Sequence, residues 1–166
     1  DATGIAEYLG LSKTGEKETI TEGTYVLQSA LGSEKVATVA EGSLESKAAV
    51  TLSDNTNVSS QRFEISSAGN GYYYITAEHS GKVLDIKDGS SEKGTTIQQY
   101  TSNKSAAQRW SFIDAGDGYY YICSGLGTYL DVKSAGTSNG TPLDSWTFNG
   151  TNAQKWKLVK SDYQPV

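Results

Sequence analysis

The sequence predicts an all-β domain with threefold internal repetition, and three observations carry that reading. Short segments alternate apolar and polar residues, which is the period of a strand and not of a helix. Gly and Ser cluster between these segments, as turns require. One block of sequence recurs. Gly71-Tyr72-Tyr73-Tyr74-Ile75 returns as Gly118-Tyr119-Tyr120-Tyr121-Ile122, and Val83-Leu84-Asp85-Ile86-Lys87 returns as Tyr129-Leu130-Asp131-Val132-Lys133. Gly94-Thr95 returns as Gly140-Thr141, and Ala107-Gln108-Arg109-Trp110 as Ala153-Gln154-Lys155-Trp156. A worn earlier copy contains Gly23-Thr24-Tyr25-Val26-Leu27, Val36-Ala37-Thr38-Val39 and Gln61-Arg62-Phe63. Three such copies fit a β-trefoil, since a propeller needs more blades and a solenoid needs no closure.

The repeats are expected at about 23–68, 69–115 and 116–160, within one domain spanning 23–160. In the opening strand of each copy the kept positions are Tyr25 and Leu27, Tyr73 and Ile75, Tyr120 and Ile122. They lie two apart, share a face and read as core. The variable residues between and beside them, including Val26, Tyr74 and Tyr121, read as outward. In the closing strand Phe63 and Ile65, Trp110 and Phe112, Trp156 and Leu158 form matching apolar pairs. Residues 1–22 fall outside the repeats and are expected to form a linker or packing arm. Ile5, Tyr8 and Leu9 have the spacing of a short helix. Residues 161–166 read as a tail.

Composition narrows the function. The chain has 166 residues and a net charge of −5, with its basic residues scattered, which argues against a nucleic-acid partner. No apolar run approaches the length needed to span a bilayer. The single cysteine, Cys123, reads as a half-buried strand residue, and no Cys/His cluster offers a metal site. No cofactor is indicated. The chain contains no methionine, so Asp1 is not a translation start, which suits a processed, secreted protein or a domain of a longer one.

Candidate chemistry follows from the alternation. Leu84 and Ile86 face the core, so Asp85 faces out, and Asp131 is placed identically between Leu130 and Val132. Ile97 reads as core, which puts Gln98 and Tyr100 on the opposite face. Leu143 does the same for Asp144 and Trp146. A carboxylate accepts hydrogen bonds from neighbouring sugar hydroxyls, and an aromatic ring packs on the C–H face of a pyranose. The same residues also suit a strand-end hydrogen-bond partner and ordinary half-exposed rings. Gln108 and Gln154 each precede a core Trp by two residues, so they read as inward amides that hold a turn. Catalysis is not expected. Asp85 and Asp131 belong to different lobes, neither Asp131 nor Asp144 sits in an evident deep cleft, and His79 lies in a turn without a nucleophile partner.

Leu84-Asp85-Ile86, Gly94-Thr95, Ile97-Gln98-Gln99-Tyr100 and Gln108-Arg109-Trp110 resemble the ricin B-chain-type lectin domain, and most of all its bacterial members. The resemblance implies a β-trefoil that binds galactosides, xylan or related glycans without catalysis. It also implies a secreted or cell-surface location, on Gram-positive bacteria, and linkage to other domains. It carries a binding role to Asp85, Gln98, Tyr100 and Gln108 in the second copy. Ala107 stands where the family has Asn, and Asn103 is the nearby substitute. In the third copy it points to Asp131, Trp146, Asn149 and Gln154, with Asp144 in place of Gln and Ala153 in place of Asn. Two carboxylates there would repel each other or share a proton or a cation, so the main site is expected in the second copy. The first copy has Thr38, Thr51 and Ser53 at the pocket positions and is expected to be dead. The alternative is a structural or protein-interaction trefoil of a bacterial surface protein.

Overall fold

A computed structural model describes residues 16–32 and 34–161 of the chain. Twelve strands, joined by turns and short 3-10 segments, make up the described fold. The first repeat supplies β1 (Gly23–Ser29), β2 (Lys35–Val39), β3 (Val50–Asp54) and β4 (Phe63–Gly69). The second supplies β5 (Tyr72–Ala77), β6 (Val83–Ile86), β7 (Thr95–Tyr100) and β8 (Trp110–Gly116). The third supplies β9 (Tyr119–Ser124), β10 (Tyr129–Val132), β11 (Thr141–Trp146) and β12 (Trp156–Lys160).

The first and last strands of each repeat close a six-membered antiparallel ring. β1 pairs with β4, β4 with β5, β5 with β8, β8 with β9, β9 with β12, and β12 with β1. Closure removes the open edges that an alternating sheet would otherwise present. The middle strands form three hairpins, β2–β3, β6–β7 and β10–β11. These hairpins touch one another through β11–β3, β11–β7 and the Ala49–Gln98 bridge. This is the β-trefoil that the repeats predict. Asn70-Gly71 and Asp117-Gly118 turn the hairpins β4–β5 and β8–β9 with positive φ at both residues, the requirement of a tight turn matched to strand twist.

The core follows the expected faces. Leu27, Ile75, Ile122, Phe63, Trp110 and Trp156 are fully buried. Each indole also ties the closing strand to the hairpin above it. Trp110 Nε1 donates to the Leu84 carbonyl at 3.2 Å, and Trp156 Nε1 donates to the Leu130 carbonyl at 3.1 Å. The ring thus grips the residue immediately before Asp85 and Asp131, so burying the Trp and positioning the carboxylate are one event. Phe63 has no N–H with which to do this. Two outward expectations fail: Val26 and Tyr121 are buried. Val26 lies opposite Val159 of β12. Tyr121 packs edge-on against Phe148 at 5.0 Å and joins Ile113 and Tyr129 in a small second cluster. Cys123 borders that cluster, half-buried, and burial pushes its thiol pKa up.

The described part of the N-terminal segment packs against the ring. Ile20 joins the core, its N–H donates to the Tyr73 hydroxyl at 2.9 Å, and the Tyr25 hydroxyl donates to the Thr21 carbonyl at 2.6 Å. Glu18 N–H donates to the Phe112 carbonyl at 2.7 Å. Residues 16–22 are therefore a packing arm. The helix spacing of Ile5, Tyr8 and Leu9 lies outside the described residues, as does the tail beyond Ser161.

Candidate functional site

Two equivalent pockets open on the hairpins of the second and third repeats. In the second, β6 and β7 are registered so that Asp85 faces Gln98 and Val83 faces Tyr100. In the third, Asp131 faces Asp144 and Tyr129 faces Trp146. The strand pattern places all of these opposite the core face, as the alternation requires. Their exposure differs from the expectation. Asp85 and Asp131 are each only 5 % exposed, Gln98 4 % and Asp144 3 %. They form the floors of cavities and not an outer surface, because the turns that follow the motif strands rise beside them. Those turns are Lys87–Gly89 and Lys133–Ala135, with Asp88 at φ 58° and Ser134 at φ 53°.

The second pocket is a cavity of about 220 Å³ lined by Asp85, Asp88, Gln98, Tyr100, Asn103 and Lys47, among others. Gln98 Nε2 donates to Asp85 Oδ2 at 2.8 Å. Burial raises the Asp85 pKa above the ordinary carboxylate value, the Gln98 and Gln108 amides oppose that rise, and the Asp88 charge adds to it. The remaining acceptor capacity of Asp85 faces the cavity, with the Tyr100 ring at its side. Asn103 spends Oδ1 on the Ser105 N–H at 2.9 Å, which turns the loop that forms the rim.

The third pocket is larger, about 450 Å³, and is lined by Asp131, Asp144, Trp146, Lys133, Asn149 and Gly94, among others. Burial is the largest cause of a raised pKa at both carboxylates. The hydrogen bond and charge of Asp131 push Asp144 further, up to about 8, against the opposing charge of Lys133. Burial and mutual repulsion thus favour a proton on the pair, and a carboxylic acid there does what Gln98 does with an amide. Lys93 places its ammonium 5.5 Å from the centre of the Trp146 ring.

Gln108 and Gln154 lie under the cavities and line neither of them. Both are fully buried. Gln108 accepts from Asn103 N–H at 2.7 Å and donates to the Thr101 carbonyl at 3.1 Å. Gln154 accepts from Asn149 N–H at 3.0 Å and donates to the Thr147 carbonyl at 2.9 Å. They hold the rim loops in place and support the carboxylates from behind. Ala107 and Ala153 do line the cavities, so each missing Asn leaves a methyl group in the pocket wall.

In the first repeat the corresponding groups satisfy one another. Ser53 Oγ donates to Thr38 Oγ1 at 3.0 Å, Thr38 Oγ1 donates to the Val36 carbonyl at 3.1 Å, and Gln61 Nε2 reaches Thr38 Oγ1 at 3.2 Å. Carboxylate and ring are both absent. His79 Nε2 is bonded to the Ser43 carbonyl oxygen at 2.8 Å, away from any nucleophile.

Sequence reasoning missed the walls. Asp88-Gly89 announces a turn just after the Leu-Asp motif and marks that part of the rim. Lys47 carries no such signal, because it comes from the preceding repeat. Its N–H donates to the Gln99 carbonyl at 2.8 Å, as Gly94 N–H donates to Ser145 at 2.7 Å and Gly140 N–H to Leu52 at 2.7 Å. All three residues have positive φ, 77°, 88° and 91°. Each pocket is thus completed by a loop from the preceding copy, and at that place the second pocket has a lysine where the third has a glycine.

Comparison with known proteins agrees with this fold. The chain superposes on a designed threefold-symmetric protein, ThreeFoil, with 32 % identity and a TM-score of 0.81, covering 84 % of this chain and 99 % of that one. It matches an exo-β-1,3-galactanase of Clostridium thermocellum with 35 % identity and a TM-score of 0.80, covering 88 % of this chain but only 31 % of the enzyme. A Macrolepiota procera ricin B-like lectin, solved with lactose, shares the fold at 17 % identity and a TM-score of 0.70 over 87 % of this chain and 100 % of the lectin. No match was found among curated proteins. The profile of the ricin-type β-trefoil lectin domain-like family matches residues 13–100, 71–125 and 106–164. The chain belongs to the ricin-type β-trefoil lectin domain-like family.

Proposed function

We propose that this chain is a non-catalytic glycan-binding module whose main site is the second pocket, with a second site in the third. The observation that carries the proposal is the Asp85–Gln98 pair on the floor of an open cavity with Tyr100 at its wall. Asp85 keeps acceptor capacity for two adjacent sugar hydroxyls, and the ring offers an apolar face to a pyranose. The resemblance suggests a galactoside, a xylan-like chain or a related polysaccharide, and a secreted or cell-surface setting in a Gram-positive bacterium. Covalent linkage to other domains fits the 31 % coverage of the galactanase.

A hydrolytic reading has little support. Asp131 and Asp144 stand in hydrogen-bond contact, which leaves no room between them for the bond to be cut. A glycosidase holds its two carboxyl groups about 5–10 Å apart. Among the described residues, no group of three or more His, Cys, Asp or Glu is placed to hold a metal ion. No helix there is long and apolar enough to cross a membrane.

The test is a broad glycan array, repeated with Asp85→Ala and Asp131→Ala. Asp85→Ala is expected to abolish most binding and Asp131→Ala to leave most of it. Absence of binding by the unmutated chain would overturn the proposal and favour a protein-interaction trefoil.

A further inference from the structure

We propose that the third pocket takes the ammonium group of an unacetylated amino sugar, seated between Asp131, Asp144 and Trp146, and that binding releases the proton the two carboxylates share. This rests on the glycan-binding reading and assigns the third pocket a ligand class different from that of the second.

Three observations point to a cation. First, the third pocket has a carboxyl group where the second has an amide. Asp144 is 3 % exposed, and its Oδ1 is buried without a hydrogen-bond partner. An ammonium group brings three N–H donors and a charge, whereas a hydroxyl brings one donor. Second, the Trp146 ring is already approached by an ammonium, that of Lys93 at 5.5 Å, so the ring presents the electron-rich surface that a cation requires. Third, with Gly94 where the second pocket has Lys47, this pocket is wider, about 450 Å³ against 220 Å³, and has room for a charged substituent beside the carboxyl pair.

The charged groups around the pair are few. Asp131 and Lys133 come from its own hairpin and turn, and Lys93 comes from the loop before β7. Thr96 of β7, opposite Asp144, and Gln154 beneath Asp131 are neutral. Without ligand at neutral pH the pair carries one proton and one negative charge. The ammonium replaces that proton as the bridge. The O–H bond of Asp144 breaks, the proton passes to solvent, and both carboxylates accept from N–H. No other bond changes.

The experiment uses the full chain with Asp85→Ala to silence the second pocket. Glucosamine and galactosamine oligomers are titrated by calorimetry at pH 6.5 against their fully N-acetylated counterparts, in two buffers of different ionisation enthalpy. The expected result is at least about tenfold tighter binding of an amino oligomer, with release of about one proton per site. Adding Asp144→Asn, which keeps an N–H donor toward Asp131, should remove the preference and the proton release.

Equal affinity for the two forms, a preference that survives Asp144→Asn, or binding without proton release would each overturn the inference. So would saturation of the pocket by calcium ion in competition with the amine. If no oligomer binds this variant while the unmutated chain still binds neutral glycans, the inference fails and the glycan-binding reading stands. If the unmutated chain binds no glycan, both fail.

Discussion

The second and third pockets were built from the same template, and three of their differing side chains change the floor, the ring and the rim. Where the second has Gln98, Tyr100 and Lys47, the third has Asp144, Trp146 and Gly94. The amide lets Asp85 stay ionised in a buried place, because it donates without carrying charge. The acid at Asp144 gives the same contact only while protonated, so one substitution adds a second titrating carboxyl group to the floor. The lysine narrows and charges its pocket, and the glycine opens its own to about twice the volume. The difference teaches that backbone register decides where a trefoil pocket lies, while a few residues on its floor and rim decide what it accepts.

The comparison can first be tested where the pockets are alike. Gln108→Ala and Gln154→Ala each remove two hydrogen bonds to a rim loop and leave buried backbone groups unpaired. Each should cost about 2–3 kcal/mol by denaturant titration. A large cost in one repeat only would mean that the two loops are not held in the same way. A smaller effect is expected when the floor of the second pocket is converted to that of the third. Gln98→Asp should destabilise by about 2 kcal/mol at pH 8 and make stability fall between pH 5 and 8.

The reverse change sharpens the pH argument. The pKa of Asp144 is raised on folding, so the folded state holds the proton more tightly than the unfolded chain does. Stability from that proton is fully present below the unfolded value near 4 and is lost as pH rises through about 8. Asp144→Asn should abolish this slope and raise stability at pH 8 by about 1–2 kcal/mol, read from melting curves across pH. A variant with an unchanged slope would show that the pair does not share a proton. The smallest effect is expected from Lys47→Gly. It relieves a positive φ that glycine adopts without strain and should stabilise by about 0.5–1 kcal/mol. It should also give the second pocket a volume closer to that of the third. A loss of stability would indicate that the lysine makes contacts worth more than the strain it bears.

Much of the site was legible because the trefoil repeats its local hydrogen bonds in every copy. The Gln-x-aromatic signature survives even at Gln61-Arg62-Phe63, since the amide must hold its loop whether or not a pocket exists. Thr56 N–H donates to Gln61 Oε1 at 2.9 Å, and Gln61 Nε2 donates to the Asp54 carbonyl at 2.8 Å. The pairing of Asp85 with Gln98 and of Asp131 with Asp144 followed from alternation plus a hairpin. The depth of those residues did not, because alternation distinguishes two faces but not a surface from a cavity floor. Tyr121 misled for the same reason: a face turned from the barrel core can still be covered, here by Phe148.

The sequence alone determined the number of repeats, the strands, the core face of each and the chemical identity of the two pocket floors. These are local properties, set by spacing of two and by recurrence about every 46 residues. Tertiary structure alone decided that Lys47 and Gly94 complete pockets belonging to the next repeat and that residues 16–22 pack against the ring. Each of these brings together residues remote in the chain. Such pairs meet only when the ring closes, and the physical consequence, a shifted proton affinity or a narrowed cavity, depends on the burial that closure creates.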